Sequence, residues 1–165
     1  MNLILFGFKG CGKTHFGKLL AKKLGRPFFD TDDAIVKLKN GSSIREVHHL
    51  IGEEAFRAIE TTVIESIAHL KGFVISVGGG AVLSVLNQKL LQKLGQLVYL
   101  EVCFETIKNR SFSWPYDQLK KLYTDRLPIY EAISAYKVQV DGLSQSEVLA
   151  ELEAITYCEA SGNGV

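Results

Sequence analysis

Two hydrophobic periods alternate along this chain. Short runs of consecutive apolar residues, such as Leu3-Ile4-Leu5-Phe6, are separated by longer stretches in which apolar residues recur every three or four positions. The short runs predict strands at 2–6, 27–29, 73–77, 97–102 and 137–140. The longer stretches predict helices at 13–24, 31–38, 43–50, 52–70, 84–93, 104–110, 117–134 and 145–156. In the first of these, Phe16, Leu19, Leu20 and Leu24 share a face, and Gly25 followed by Pro27 supplies the stop. Such alternation is that of a parallel sheet wrapped by helices, an α/β fold. The stretch 111–116, Ser-Phe-Ser-Trp-Pro-Tyr, is expected to be a surface loop. Residues 157–165, ending Ser-Gly-Asn-Gly-Val, are expected to form a disordered tail.

Composition narrows the function classes. A chain of 165 residues is most simply one domain with a proper core. Lysine plus arginine is 19 against 18 for aspartate plus glutamate, so no basic field exists to attract nucleic acid or anionic lipid. Cys11, Cys103 and Cys158 are too scattered for a zinc site or a disulfide framework. Core strand begins at once, leaving no room for a signal peptide, and no apolar run approaches a membrane span. A cytoplasmic protein is expected.

The first strand runs into Gly7-Phe8-Lys9-Gly10-Cys11-Gly12-Lys13-Thr14, a G-x-x-x-x-G-K-T phosphate-binding loop. Its glycines let successive N–H groups point inward as an anion nest, and the following helix adds its positive end. Lys13 would reach the β- and γ-phosphates of a nucleotide, and the Thr14 hydroxyl would take a site on Mg²⁺. In open α/β sheets ligands sit beyond the carboxyl ends of the strands, which directs attention to the residues just past each strand. The second is followed by Asp30-Thr31-Asp32-Asp33 and the third by Gly78-Gly79-Gly80; Glu101 and then Arg110 lie beyond the fourth.

No strand ends in a conventional metal-binding aspartate, because 73–77 runs straight into glycine. Asp30 is the best substitute for the metal role, with Asp32 turned towards a phosphate acceptor. Asp33 is favoured for helix capping. One glycine would serve a tight turn; three in a row favour close approach of a ligand to backbone N–H groups. Spacing alone leaves Arg57 among Glu53, Glu54 and Glu60 as an ordinary surface pair, and leaves Arg126 ambiguous. His48 and His49 are expected to form a solvated surface feature.

Taken together, these motifs resemble the shikimate kinase family over nearly the whole chain. The matching residues, in order, are Gly7–Thr14; Asp30-Thr31-Asp32 with Ile35; Gly41-Ser42-Ser43-Ile44-Arg45-Glu46; and Gly52-Glu53 with Phe56-Arg57 and Glu60. Gly78-Gly79-Gly80 and Arg126 with Tyr130 complete the set. The resemblance implies a nucleoside-monophosphate-kinase-like fold with a five-stranded parallel sheet, and one kinase domain over 1–156. Substrate-binding helices would span about 31–70, with a short lid at about 111–116. It implies transfer of phosphate from ATP to the 3-hydroxyl of shikimate, on the way to chorismate and the aromatic amino acids, by a monomer. Gly10, Cys11, Gly12, Lys13, Thr14 and His15 would hold the nucleotide, with Arg110 against adenine. Thr14 and Asp30 would serve Mg²⁺. Lys13 and Asp32 would be catalytic; Asp32 with Gly78, Gly79 and Gly80 would hold shikimate hydroxyls, and Arg57 and Arg126 its carboxylate.

One position departs from the family. Where its lid carries an arginine before a proline, this chain has Trp114 before Pro115. A neutral indole cannot offset charge on a transferring phosphate, so Lys9, Lys120 or Lys121 would have to supply it. A gluconate-type kinase and a non-catalytic binder of nucleotide or shikimate are the rival readings.

Overall fold

A computed structural model describes residues 1–110 and 114–162, with side chains given through Tyr157. In chain order the elements are β1 (Asn2–Phe6), α1 (Lys13–Leu24), β2 (Phe28–Asp30), α2 (Thr31–Leu38), α3 (Ile44–Ile51), α4 (Glu53–Ser66) and β3 (Val74–Ser76). A 3₁₀ turn at Ala81–Leu83 precedes α5 (Val85–Leu94), β4 (Gly95–Glu101), α6 (Phe104–Arg110), α7 (Tyr116–Ile133), β5 (Tyr136–Gln139) and α8 (Gln145–Gly162). The five strands form one parallel sheet in the order β2-β3-β1-β4-β5. Every residue of β1 is buried, as a central strand covered on both faces must be, which is why it reads as an unbroken apolar run.

The sheet and its flanking helices share one large apolar cluster built around Leu3–Phe6, Val74, Ile75 and Leu97–Leu100. A second, small cluster of Ile35, Val47, Phe56 and Val63 lies under α2, α3 and α4. Those three helices thus form a cover with a core of its own, beside the carboxyl ends of β2 and β3.

Three boundaries differ from expectation by two residues or more; most of the others agree to within one. β4 begins at Gly95, two places before its apolar run, because Gly95 and Gln96 pair with Asn2 and Leu3 of β1. α4 stops at Ser66 rather than 70. The Ser66 hydroxyl donates to the Val63 carbonyl at 2.7 Å, and tight turns through Ala68 and Leu70 follow. α8 continues past 156 to Gly162, correcting the expected tail over 157–162: good helix formers, Glu159 and Ala160, extend a helix already anchored by Val148, Leu152 and Ile155. Residues 163–165 lie outside the described residues, as do 111–113 of the expected lid. Among the described residues no helix is long and apolar enough to cross a membrane.

Candidate active site

The loop after β1 delivers the start of α1 to the carboxyl edge of the sheet. Gly12, at the helix N-cap, has φ 97°, and a Cβ there would stand 2.9 Å from the Phe16 ring, so glycine is required on both counts. α1 has no side-chain cap and no acidic residue in its first turn, whereas α2, α3 and α5 are capped by Asp30, Ser43 and Ser84. Its first N–H groups and positive dipole end are therefore left for an anion. Lys13 folds back, its ammonium donating to the carbonyls of Gly7 (3.2 Å) and Phe8 (3.1 Å). The Cys11 thiol is buried and accepts from the same ammonium at 3.8 Å.

Asp30, the last residue of β2, ties this loop to the next element. Its Oδ2 accepts from the Thr14 hydroxyl at 2.7 Å, and its Oδ1 accepts from the N–H of Asp32 at 2.9 Å and of Asp33 at 3.3 Å. Asp30 is therefore the cap of α2, and Asp33, expected in that role, is exposed in the helix's first turn. A cap needs extended backbone, which the end of a strand supplies (φ −122°, ψ 121°). Thr14 and Asp30 form an all-oxygen donor pair of the kind that suits Mg²⁺. No group of three or more His, Cys, Asp or Glu that could hold a metal occurs among the described residues, so most of an ion's ligands would be phosphate oxygens and water.

Asp32 faces the cleft from the first turn of α2. Burial chiefly, and then the neighbouring Asp30, push its carboxyl up to about 6, against the opposing pull of Lys13. The three glycines explain how this crowding is possible. A Cβ on Gly78 would stand 2.6 Å from Asp32 Oδ1, one on Gly79 would stand 2.6 Å from the Gly7 carbonyl, and one on Gly80 would overlap the Arg57 guanidinium. The run makes a tight turn, the Ala81 N–H donating to the Gly78 carbonyl at 3.0 Å, but none of the three has positive φ, so it is the close approach of protein groups that requires glycine. The Gly78 N–H is itself taken by the Thr31 hydroxyl at 3.2 Å.

Arg57 sits on α4 beneath Gly80. Its Nε donates to Glu53 at 2.7 Å and its Nη1 to Glu60, which is 3 % exposed and is not the surface partner that spacing suggested. Burial works against the Arg57 charge, but Glu60 and Glu53 raise its pKa above the usual arginine range. Arg126, on α7, differs: its Nε is buried with no hydrogen-bond partner, and its guanidinium lies 5.8 Å from the Phe8 ring centre. One turn on, Tyr130 donates its hydroxyl to the Gly79 carbonyl at 2.7 Å, and burial pushes its phenol up to about 12.

A cleft of about 420 Å³ joins these parts. Lys13, Thr14 and His15 of α1 line it on one side, with Lys9, Gly10 and Gly12 of the loop; Asp32, Gly79 and Arg126 line the other. Gly78, Gly80 and Arg57 stand directly behind Gly79 and Asp32 rather than in its wall. Arg110 reaches the loop from outside, donating to the Gly10 carbonyl at 2.7 Å, and His15 contacts Gln145 of α8 at 2.8 Å. Glu60, Thr31 and Tyr130 hold the site together without having been singled out from spacing. Spacing alone offers only the i, i+3 step from Arg57 to Glu60, which does not report burial; all three residues stand in the motifs that carry the family resemblance.

The shikimate kinase family model matches residues 9–156. A shikimate kinase from Thermodesulfovibrio yellowstonii is 39 % identical over 99 % of this chain and 98 % of its own length. The structure of shikimate kinase from Acinetobacter baumannii in complex with shikimate superposes with a TM-score of 0.87 at 27 % identity, covering 96 % of this chain and 93 % of that one. A gluconokinase from Sinorhizobium meliloti, at TM-score 0.61 and 21 % identity over 96 % of each chain, shares the fold alone. The uncapped phosphate loop, the Asp30–Thr14 tie and the glycine-lined approach of Asp32 thus sit in a chain that belongs to the shikimate kinase family.

Proposed function

We propose that this cleft transfers the γ-phosphoryl group of ATP to the 3-hydroxyl of shikimate. What carries the reading is that one cleft holds a phosphate loop, a carboxylate poised near neutrality and an arginine with an orphaned buried donor. An unpartnered buried guanidinium N–H is costly, and a substrate carboxylate would relieve it. Arg57, held by Glu60, would support the same carboxylate from behind Gly80.

The loop and the α1 N-terminus would hold the nucleotide's phosphates, with Lys13 released from Gly7 and Phe8 to meet the β- and γ-phosphates. Thr14 and Asp30 would hold Mg²⁺, which supplies charge neutralisation on the phosphates when bound. Asp32 accepts or orients the proton of the attacking hydroxyl. The oxygen–phosphorus bond to the acceptor forms as the bond to the β,γ-bridging oxygen breaks, and ADP leaves.

The test is ADP release from MgATP, followed with shikimate and separately with D-gluconate. Turnover with shikimate alone is expected. Turnover with gluconate only, or shikimate binding by calorimetry without ADP release, would replace this reading with one of its rivals.

A further inference from the structure

Lys9 differs from Lys13, the other lysine at the cleft. Among the described residues its ammonium makes no hydrogen bond and no ion pair; it lies 4.1 Å over the centre of the Trp114 ring. Trp114 is half-buried and packs on the main core, so this platform is fixed. Burial, and then the nearby charge of Arg45 on α3, both lower the Lys9 pKa. Lys13, by contrast, gives its donors to loop carbonyls. The other two candidate lysines are engaged elsewhere: Lys120 lies 4.2 Å over Phe104, and Lys121 pairs with Asp125 at 2.7 Å. Of Lys9, Lys120 and Lys121, only Lys9 lines the cleft with Thr14 and Asp32.

We propose that Lys9 is a catalytic residue of this cleft, its ammonium meeting the oxygens of the transferring phosphoryl group, and that Trp114 is the positioning residue that holds it there. The proposal rests on the phosphoryl-transfer reading above. A ring face attracts an ammonium without neutralising it and leaves its N–H donors free, whereas a carboxylate partner would cancel the charge. As the acceptor oxygen bonds to phosphorus and the bridging oxygen departs, negative charge is spread over the equatorial oxygens, where a fixed point charge lowers the barrier most.

The experiment compares Lys9→Met, which keeps the apolar stem, with Lys9→Arg, Trp114→Phe and Trp114→Ala. Lys9→Met is expected to lower kcat on the order of 10²–10³-fold with both KM values nearly unchanged, because the contact strengthens only in the transition state. Lys9→Arg and Trp114→Phe should retain most of the rate, and Trp114→Ala should lose about tenfold. ADP affinity by calorimetry should be the same throughout. Trp114 is the chain's single tryptophan, so its emission also reports on Lys9 without turnover. A β,γ-imido ATP analogue with Mg²⁺ should shift that emission beyond the effect of ADP, and Lys9→Met should abolish the difference.

A Lys9→Met enzyme with wild-type kcat, or an analogue response equal in both proteins, would overturn the proposal. Wild-type protein that releases no ADP with shikimate, but keeps the Lys9-dependent emission response, would overturn the substrate reading alone.

Discussion

The two arginines at this cleft stand in opposite electrostatic states. On α4, within the cover and its small core, Arg57 is matched by two carboxylates, one exposed and one buried. On α7, packed against the sheet, Arg126 has no carboxylate partner among the described residues, and its Nε is orphaned. A matched arginine is already compensated; an orphaned one gains most from an incoming anion. On the proposed reading, Arg126 would supply more of the affinity for a carboxylate, and Arg57 less, because it shares its donors with Glu53 and Glu60.

The largest effect should come from Asp32, which lines the cleft with Arg126. Asp32→Asn is expected to cut kcat on the order of 10²–10⁴-fold while leaving ADP affinity intact. The wild-type kcat/KM profile should fall as pH drops through about 6, where the raised Asp32 carboxyl takes up a proton, and the asparagine variant should lack that limb. Stability should run the other way. A carboxyl whose pKa is raised by folding stabilises below its unfolded value, near 3.8, and that contribution is lost as pH rises through about 6. Asp32→Asn should accordingly melt higher than wild type at pH 8, and a lower melting temperature there would contradict the burial argument.

Next in size, Arg126→Ala should raise the shikimate KM by about 10–100-fold, the range for a charged hydrogen-bonding contact, and Arg57→Ala by less. The reverse order would break the contrast between the two arginines. Glu60→Gln removes the buried partner of Arg57 and should cost about 2 kcal/mol in chemical denaturation, with a smaller effect on nucleotide binding. The smallest change is expected for Glu53→Gln. Its carboxylate is 62 % exposed, so the stability loss should stay below about 1 kcal/mol. A freed Arg57 Nε should leave the shikimate KM unchanged or slightly lower; a large increase would show that Glu53 orients Arg57 for substrate.

Legibility followed the range of the interactions. α1, α2 and α6 begin and end where their periodicity and stop signals place them, because helix formation is decided within a turn or two. The end of α4 was missed because Ser66 folds back on its own helix, a choice that apolar spacing does not register. Asp30 and Asp32 were recognisable as a pair after β2, but the division of labour between Asp30 and Asp33 depended on which of them closed the strand. Gly78-Gly79-Gly80 announced a close approach and not what approached: Asp32, the P-loop and Arg57 arrive from three distant segments.

The sequence by itself determined the strand and helix periods, the phosphate loop with Lys13 and Thr14, and the family to which the chain belongs. These are carried by residues adjacent in the chain or by ordered motifs. Only the tertiary structure decided which arginine is matched and which is orphaned, how far burial raises the Asp32 carboxyl, and that Lys9 rests on Trp114. Each of these depends on burial and on the charges packed around a group, and both are set by segments that meet only when the sheet and its cover are assembled.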